Sequence, residues 1–247
     1  MGERYEILGK IGVGGVGAVY QATDTLLDRK VAIKRLLSDE ESEYADMAKS
    51  SLQQETAALS ALQHPNIVTI FDVGEDEEGQ FVVMELIDGE NLEEVINYRD
   101  QLSIEDFTIF ANQALDALHA AHKLNLLHRD LKPRNLMLRW LPDGKPLAKI
   151  LDFGLAKFAP KPALQTMDQN KAVLGSVFYM APEQFERLPL DQRTDIYSLG
   201  CVFYYALTGN DPFSGKAAPD VMMAHLEHRV VPIQEHRPDL PHGWRSW

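Results

Sequence analysis

The stretch "LLHRDLKPRNLML", residues 126–138, sets a run of polar side chains between two apolar ones. Pro133 bars a helix through its middle, so the polar residues belong on a loop held at both ends by buried hydrophobics. Asp130 is suited to accept a proton from an attacking hydroxyl, and Lys132, two positions on, to offset charge on a transferring phosphoryl group. Asn135 offers a neutral carbonyl oxygen, the kind of donor that the hard ion Mg²⁺ takes.

Outward from this loop, "AKILDFG" (148–154) places Asp152 at the end of an apolar strand, where its carboxylate suits a second metal position. Toward the N-terminus, "VAIK" ends on Lys34, on a strand expected to be half buried. An ammonium there is costly unless it is paired or held against anionic phosphate. Its expected partner is Glu55, which falls among Leu52, Leu59 and Leu62 on the inward stripe of a helix over 51–63. An edge lysine and a solvated glutamate are the alternative.

Residues 11–20, "IGVGGVGAVY", carry Gly12, Gly14 and Gly17 in a G-x-G-x-x-G array. A dinucleotide site needs a helix to start at such a loop and an acid at the end of the next strand. The residues after Gly17 instead alternate as a strand, and Asp28 falls in a turn. A Walker A loop needs Lys-Ser/Thr after its last glycine, where this chain has Ala18-Val19. A strand-loop-strand flap remains, with backbone N–H groups near phosphate and Val19 over an adenine face. Taken alone, a plain glycine turn stays open.

The chain has 247 residues, 24 Lys+Arg against 37 Asp+Glu, and a net charge of −13. That balance argues against nucleic acid or anionic lipid as a partner. The single cysteine, Cys201, rules out an internal disulfide and points to a reducing, cytoplasmic setting. No membrane segment is expected. The most apolar run, "IYSLGCVFYYAL" (196–207), is far short of the ~20 residues of a span and reads as a core helix. Alternating patterns predict three strands in roughly the first 37 positions and two more in "IVTIFDVG" and "QFVVMEL". "DGEN" (88–91) breaks the pattern at a hinge, and a long amphipathic helix follows over 104–125. An α+β chain is expected, with a sheet-rich front lobe (1–87), a helix-rich back lobe (88–247) and a cleft between them.

Taken together, "GVGGVGAV", "VAIK", Glu55, "HPNIV", "VMEL", "HRDLKPRN", "DFGLAK", "GSVFYMAPEQ" and "DIYSLG" resemble a protein kinase domain, most closely the bacterial eukaryotic-like serine/threonine kinases. The resemblance implies the bilobal kinase fold and transfer of the γ-phosphate of ATP to protein Ser/Thr hydroxyls. It implies Asp130 as catalytic base, helped by Lys132; Lys34 with Glu55 on the α and β phosphates; and Asn135 and Asp152 on Mg²⁺, with Mn²⁺ as the substitute. The glycine flap would be Gly12, Val13, Gly14, Gly15, Val16 and Gly17. Adenine would lie between Val19 and Ala32 above and Met137 below, beside Met84 as gatekeeper and the backbone of Glu85 and Ile87. Leu59, Ile70, Phe153 and His128 would stack as a spine, and Asp195 would anchor the His128 loop. The cytoplasmic part of a longer membrane-anchored protein, and a dimer through the kinase domain, are compatible with the resemblance.

Four features depart from the family pattern or fall outside its known roles. The usual activation-segment phosphosite falls in "NKAV", which has no hydroxyl, leaving either Thr166 as the site or a segment that needs no phosphorylation. "RWLPDGKPLA" (139–148) is long, with Asp143-Gly144 as a hairpin tip. His119 and His122 share a helix face without a third metal ligand. The back lobe reads as incomplete, and Glu183 lacks the arginine that usually pairs with it, which leaves a weak or inactive pseudokinase as the alternative reading.

Overall fold

The computed structural model describes residues 4–14, 17–36, 62–153, 175–241 and 244. Glu55, Gly15, Val16, Leu59 and Thr166 lie outside the described residues, as does the helix expected over 51–63 apart from its last two positions. The front of the chain forms a five-stranded antiparallel sheet of β1 (Tyr5–Gly14), β2 (Gly17–Asp24), β3 (Arg29–Leu36), β4 (Ile70–Asp76) and β5 (Gly79–Glu85), in the order β1-β2-β3-β5-β4. Side chains alternate across it. Val31 and Ile33 pack with Tyr5, Ala22, Phe81 and Val83 on one face, while Ala32 packs with Val82 and Met84 on the other. Lys34 follows Ala32 by two and pairs with Val82, so the same alternation turns it to the Ala32 face.

β4 starts three residues later than the apolar run suggests. Ile67 instead forms a parallel bridge to Ile150, with Val68 N donating to Ile150 O and Ile150 N donating to Asn66 O, both at 2.9 Å. These residues therefore stitch the front sheet to the back of the molecule rather than extend β4. A second, three-stranded sheet joins β6 (Glu90–Asn91), β7 (Leu136–Trp140) and β8 (Pro146–Ile150). Of residues 139–148, the two ends extend β7 and β8, residues 141–145 form the connecting turn, and Gly144 at φ 81° lies in that turn.

The back is helical: α1 (Leu92–Arg99), α2 (Ile104–Lys123), α3 (Pro182–Phe185), α4 (Gln192–Thr208), α5 (Ala218–Leu226) and α6 (Ile233–His236). Asn91 and Glu94 close a capping box on α1, and Ser103 caps α2. Phe107, Phe110, Ala114, Ala117, Leu118 and Ala121 line the buried stripe of α2 at helical spacing and meet Leu199, Val202 and Phe203 of α4 in one core. α2 ends two residues before the expected 125. α4 stops at Gly209 (φ 70°), where an added Cβ would lie 2.2 Å from Asp100 O. Glu183, at the start of α3, is half buried and accepts from Thr194 Oγ1 at 2.6 Å, so it has a polar partner within the chain. No helix among the described residues is long and apolar enough to cross a membrane.

His225 of α5 is fully buried against Phe213, with ring centroids 4.0 Å apart, and its Nδ1 meets Tyr197 Oη at 2.7 Å. Burial pulls its pKa from 6.5 down to about 4, against an opposing pull from the main chain of Val177 and Phe178. The unfolded chain therefore takes up a proton below 6.5 that the folded chain refuses until about pH 4. Stability falls across that window by an amount on the order of 2–3 kcal/mol. Thermal unfolding at pH 7.5 and pH 5 should show the gap between wild type and His225→Gln narrowing at the lower pH. A gap independent of pH would remove His225 from the acid limb.

Candidate active site

The polar loop of residues 128–135 is built on a buried carboxylate. Asp195, fully buried on α4, accepts from His128 N (2.9 Å) and His122 Nε2 (2.8 Å) through Oδ2, and from Arg129 N (2.8 Å) through Oδ1. His128 Nε2 lies 2.7 Å from the carbonyl of Leu151, which can only accept, so this nitrogen carries the proton. Its Nδ1 is then free to accept from Asp130 N at 3.2 Å. The ring also meets Phe153 edge-on, with centroids 4.8 Å apart. Leu151 N donates to Asn135 O at 2.8 Å, so the loop and the strand exit that carries Asp152 are tied at two points.

Six side chains converge on this frame. Asp130 Oδ2 accepts from Lys132 Nζ at 2.7 Å, and the same ammonium donates to Ser176 Oγ at 2.8 Å. Asn135 Nδ2 donates to Asp130 O at 2.7 Å and, more weakly, to Asp130 Oδ2 at 3.3 Å. Lys34 is only 5% exposed and donates to Asp152 Oδ2 at 2.6 Å. Burial works against ionisation of Asp152, but Lys34 outweighs it, and the carboxyl is held below the usual range. The anion that burial of Lys34 demands is thus supplied from the back of the chain, 118 residues away.

A protein kinase domain family model matches residues 5–243. The chain belongs to the protein kinase domain family. It is similar to the probable serine/threonine-protein kinase PknB of Lactococcus lactis, 38% identical over 97% of this chain and 37% of that protein. It is likewise similar to serine/threonine-protein kinase PrkC of Bacillus subtilis, 35% identical over 96% of this chain and 35% of that protein. The chain therefore spans about a third of the length of these curated relatives. The crystal structure of a mutant of the Mycobacterium tuberculosis PknI kinase domain superposes with a TM-score of 0.71, covering 96% of this chain and 83% of that one at 23% identity. The fold is the α+β kinase fold, with an antiparallel-sheet N-lobe and a helical C-lobe.

In this kinase domain the expected adenine residues fall close together, with one exception. Val19, Ala32, Met84 and Ile87 share an apolar cluster with Val68, Val82, Leu86 and Leu151. Met137 is half buried on β7 and is not part of it. Glu85 leaves the end of β5, and its carboxylate accepts from Lys149 Nζ at 2.8 Å. Gly12 and Val13 lie on β1 opposite Val19 and Ala18, and Gly14 pairs with Gly17 across the hairpin. Val13 is 71% exposed, at the open rim.

Kinase domains use ATP with a divalent metal, and the donor set here fits such an ion. With Asn135 Nδ2 committed to Asp130 O, its Oδ1 is left for a hard cation, and Asp152 keeps one oxygen beyond the one Lys34 uses. No group of three or more His, Cys, Asp or Glu converges as a metal cage among the described residues.

Two contributors were not legible as site residues in the sequence. His122 turns out to be a donor to Asp195. Gln184 of α3 donates from Nε2 to Arg129 O at 2.8 Å. Both act on backbone or on a buried carboxylate through contacts more than 50 residues apart, for which local periodicity has no signal.

Gly17 sits at φ 151°, outside the regions that side-chain-bearing residues favour. Replacing it with Val should cost on the order of 1–3 kcal/mol of loop geometry, about a tenfold or greater rise in KM for ATP. Unchanged ATP kinetics in Gly17→Val would count against the flap placement.

Proposed function

We propose that this chain is an ATP- and Mg²⁺-dependent serine/threonine protein kinase of the cytoplasm. The observation that carries the reading is the Lys132 ammonium, which holds both the Asp130 carboxylate and the Ser176 hydroxyl. It ties a proton acceptor to the segment on which a protein substrate would lie. Asp130 takes the proton of the substrate hydroxyl as that oxygen bonds the γ-phosphorus and the bond to ADP breaks. Lys132 offsets charge on the transferring group, and Lys34, with Glu55 as its expected helper, orients the α and β phosphates. Asn135 and Asp152 would hold Mg²⁺, which neutralises phosphate charge when bound. The backbone of the glycine flap covers the phosphates, and Val19, Ala32, Met84, Ile87 and Met137 enclose the adenine, with the Glu85 backbone at its edge. Catalysis is then chiefly positioning and charge neutralisation.

The test is transfer of labelled γ-phosphate from ATP to serine- and threonine-containing peptides, with Mg²⁺ and with chelator. Label on serine or threonine that needs Mg²⁺ is the expected result. Nucleotide binding without any transfer would favour a pseudokinase, and label on a small molecule alone would remove the protein-kinase reading.

A further inference from the structure

We propose that Gln184 is a positioning residue for phosphoryl transfer, clamping the peptide unit that precedes Asp130 and coupling it to the segment that carries Ser176. The inference rests on the reading of Asp130 as the proton acceptor. The peptide between Arg129 and Asp130 is held at both of its polar ends by side chains. Its N–H, from Asp130, donates to His128 Nδ1 at 3.2 Å, and its C=O, from Arg129, accepts from Gln184 Nε2 at 2.8 Å. Arg129 itself lies at φ 68°. For a residue with a side chain that conformation costs roughly 1–2 kcal/mol, and it persists only where surrounding bonds over-determine it. Asp195 fixes the N–H of Arg129 at 2.8 Å, so Gln184 supplies the restraint on the other side of this strained residue.

The other end of the same amide is equally committed. Gln184 Oε1 accepts from Ala181 N at 2.9 Å, which closes the first turn of α3. One side chain therefore joins the start of α3 to the backbone carrying Asp130. Upstream of Ala181 in the same segment, Ser176 reaches Asp130 by a second route, through Lys132. Order in residues 175–186 is thus felt at Asp130 through its backbone as well as through its carboxylate.

Gln184→Glu separates the two halves of the clamp. An ionised carboxylate still accepts from Ala181 N but has no N–H for Arg129 O, whereas Gln184→Ala loses both bonds. In the labelled-transfer assay, run well below the melting temperature of each protein, Gln184→Glu should lower kcat about tenfold with both KM values within about twofold of wild type, since misplacing a catalytic group by a fraction of an ångström costs rate rather than binding. Gln184→Ala should show the same fall in kcat with a lower melting temperature. Wild-type kcat in Gln184→Glu would overturn the proposal, as would a fall confined to Gln184→Ala that tracks its lost stability. Asp130→Asn is run alongside: if it transfers phosphate like wild type, the reading of Asp130 fails, whatever Gln184 does.

Discussion

Asp130→Asn should lose phosphoryl transfer by about 10²- to 10⁴-fold, the usual worth of a positioned general base. The substitution keeps the shape and an oxygen acceptor for Lys132 Nζ, which lies 2.7 Å from Oδ2, but removes the basicity that accepts the hydroxyl proton. Nothing in the loop's scaffold is touched: the bonds from Asp195, His128 and Gln184 all go to backbone or to other side chains. Affinity for ATP and the melting temperature should therefore stay near wild type while kcat falls. Equal labelling by both proteins would remove Asp130 from the chemistry. A parallel loss of nucleotide binding would mean that it acts on the ground state rather than on the transfer step.

Why Asp130 could be singled out in the sequence, while its supports could not, follows from how each is encoded. Pro133 and two apolar flanks mark a loop, and loop residues of opposite charge two positions apart are visible in one dimension. The front sheet was visible for a similar reason. Its strands alternate with period two, and that alternation was enough to mark the strand of Lys34 as half buried. Its extent was less legible at β4, because Ile67 and Val68 look like strand residues yet pair with Ile150 in the back lobe. An apolar β-branched run says that a segment pairs, not which strand it pairs with.

The supports act at long range and mostly on backbone. His122 reads as one of two histidines on a helix face, and only the arrival of α4 makes it a donor to Asp195, 73 residues on. Gln184 follows a proline and a glutamate in a short helix, where its composition signals a cap and nothing more. The ion pair of Lys34 shows the same limit from another side. Burial of a lysine on β3 demands an anion, and the sequence pointed to Glu55, which lies outside the described residues; within them, Asp152 meets the ammonium at 2.6 Å. Electrostatic need is legible one-dimensionally; the identity of the partner depends on the fold.

The second large effect belongs to Asp195→Ala, which should damage stability and catalysis together. Removing the carboxylate leaves His128 N, Arg129 N and His122 Nε2 without their acceptor in a fully buried position. Buried donors without partners cost roughly 1–3 kcal/mol each. With some relaxation, the expected loss is on the order of 3–5 kcal/mol, typical of breaking a buried charged network. Burial opposes ionisation of Asp195, but the His122 bond, the nearby His128 ring and the two amides outweigh it, so its folded pKa lies below the ordinary 3.8. A depressed carboxylate contributes stability that is full above 3.8 and is lost as pH falls through the folded value. Chemical denaturation should therefore show the gap between wild type and Asp195→Ala at its widest near neutral pH and shrinking in acid. The fraction of the mutant that remains folded should also transfer phosphate slowly, because Arg129, at φ 68°, loses the carboxylate bond to its N–H. A folded Asp195→Ala protein with wild-type kcat would show that the loop keeps its geometry without the carboxylate, and that Asp195 serves stability alone.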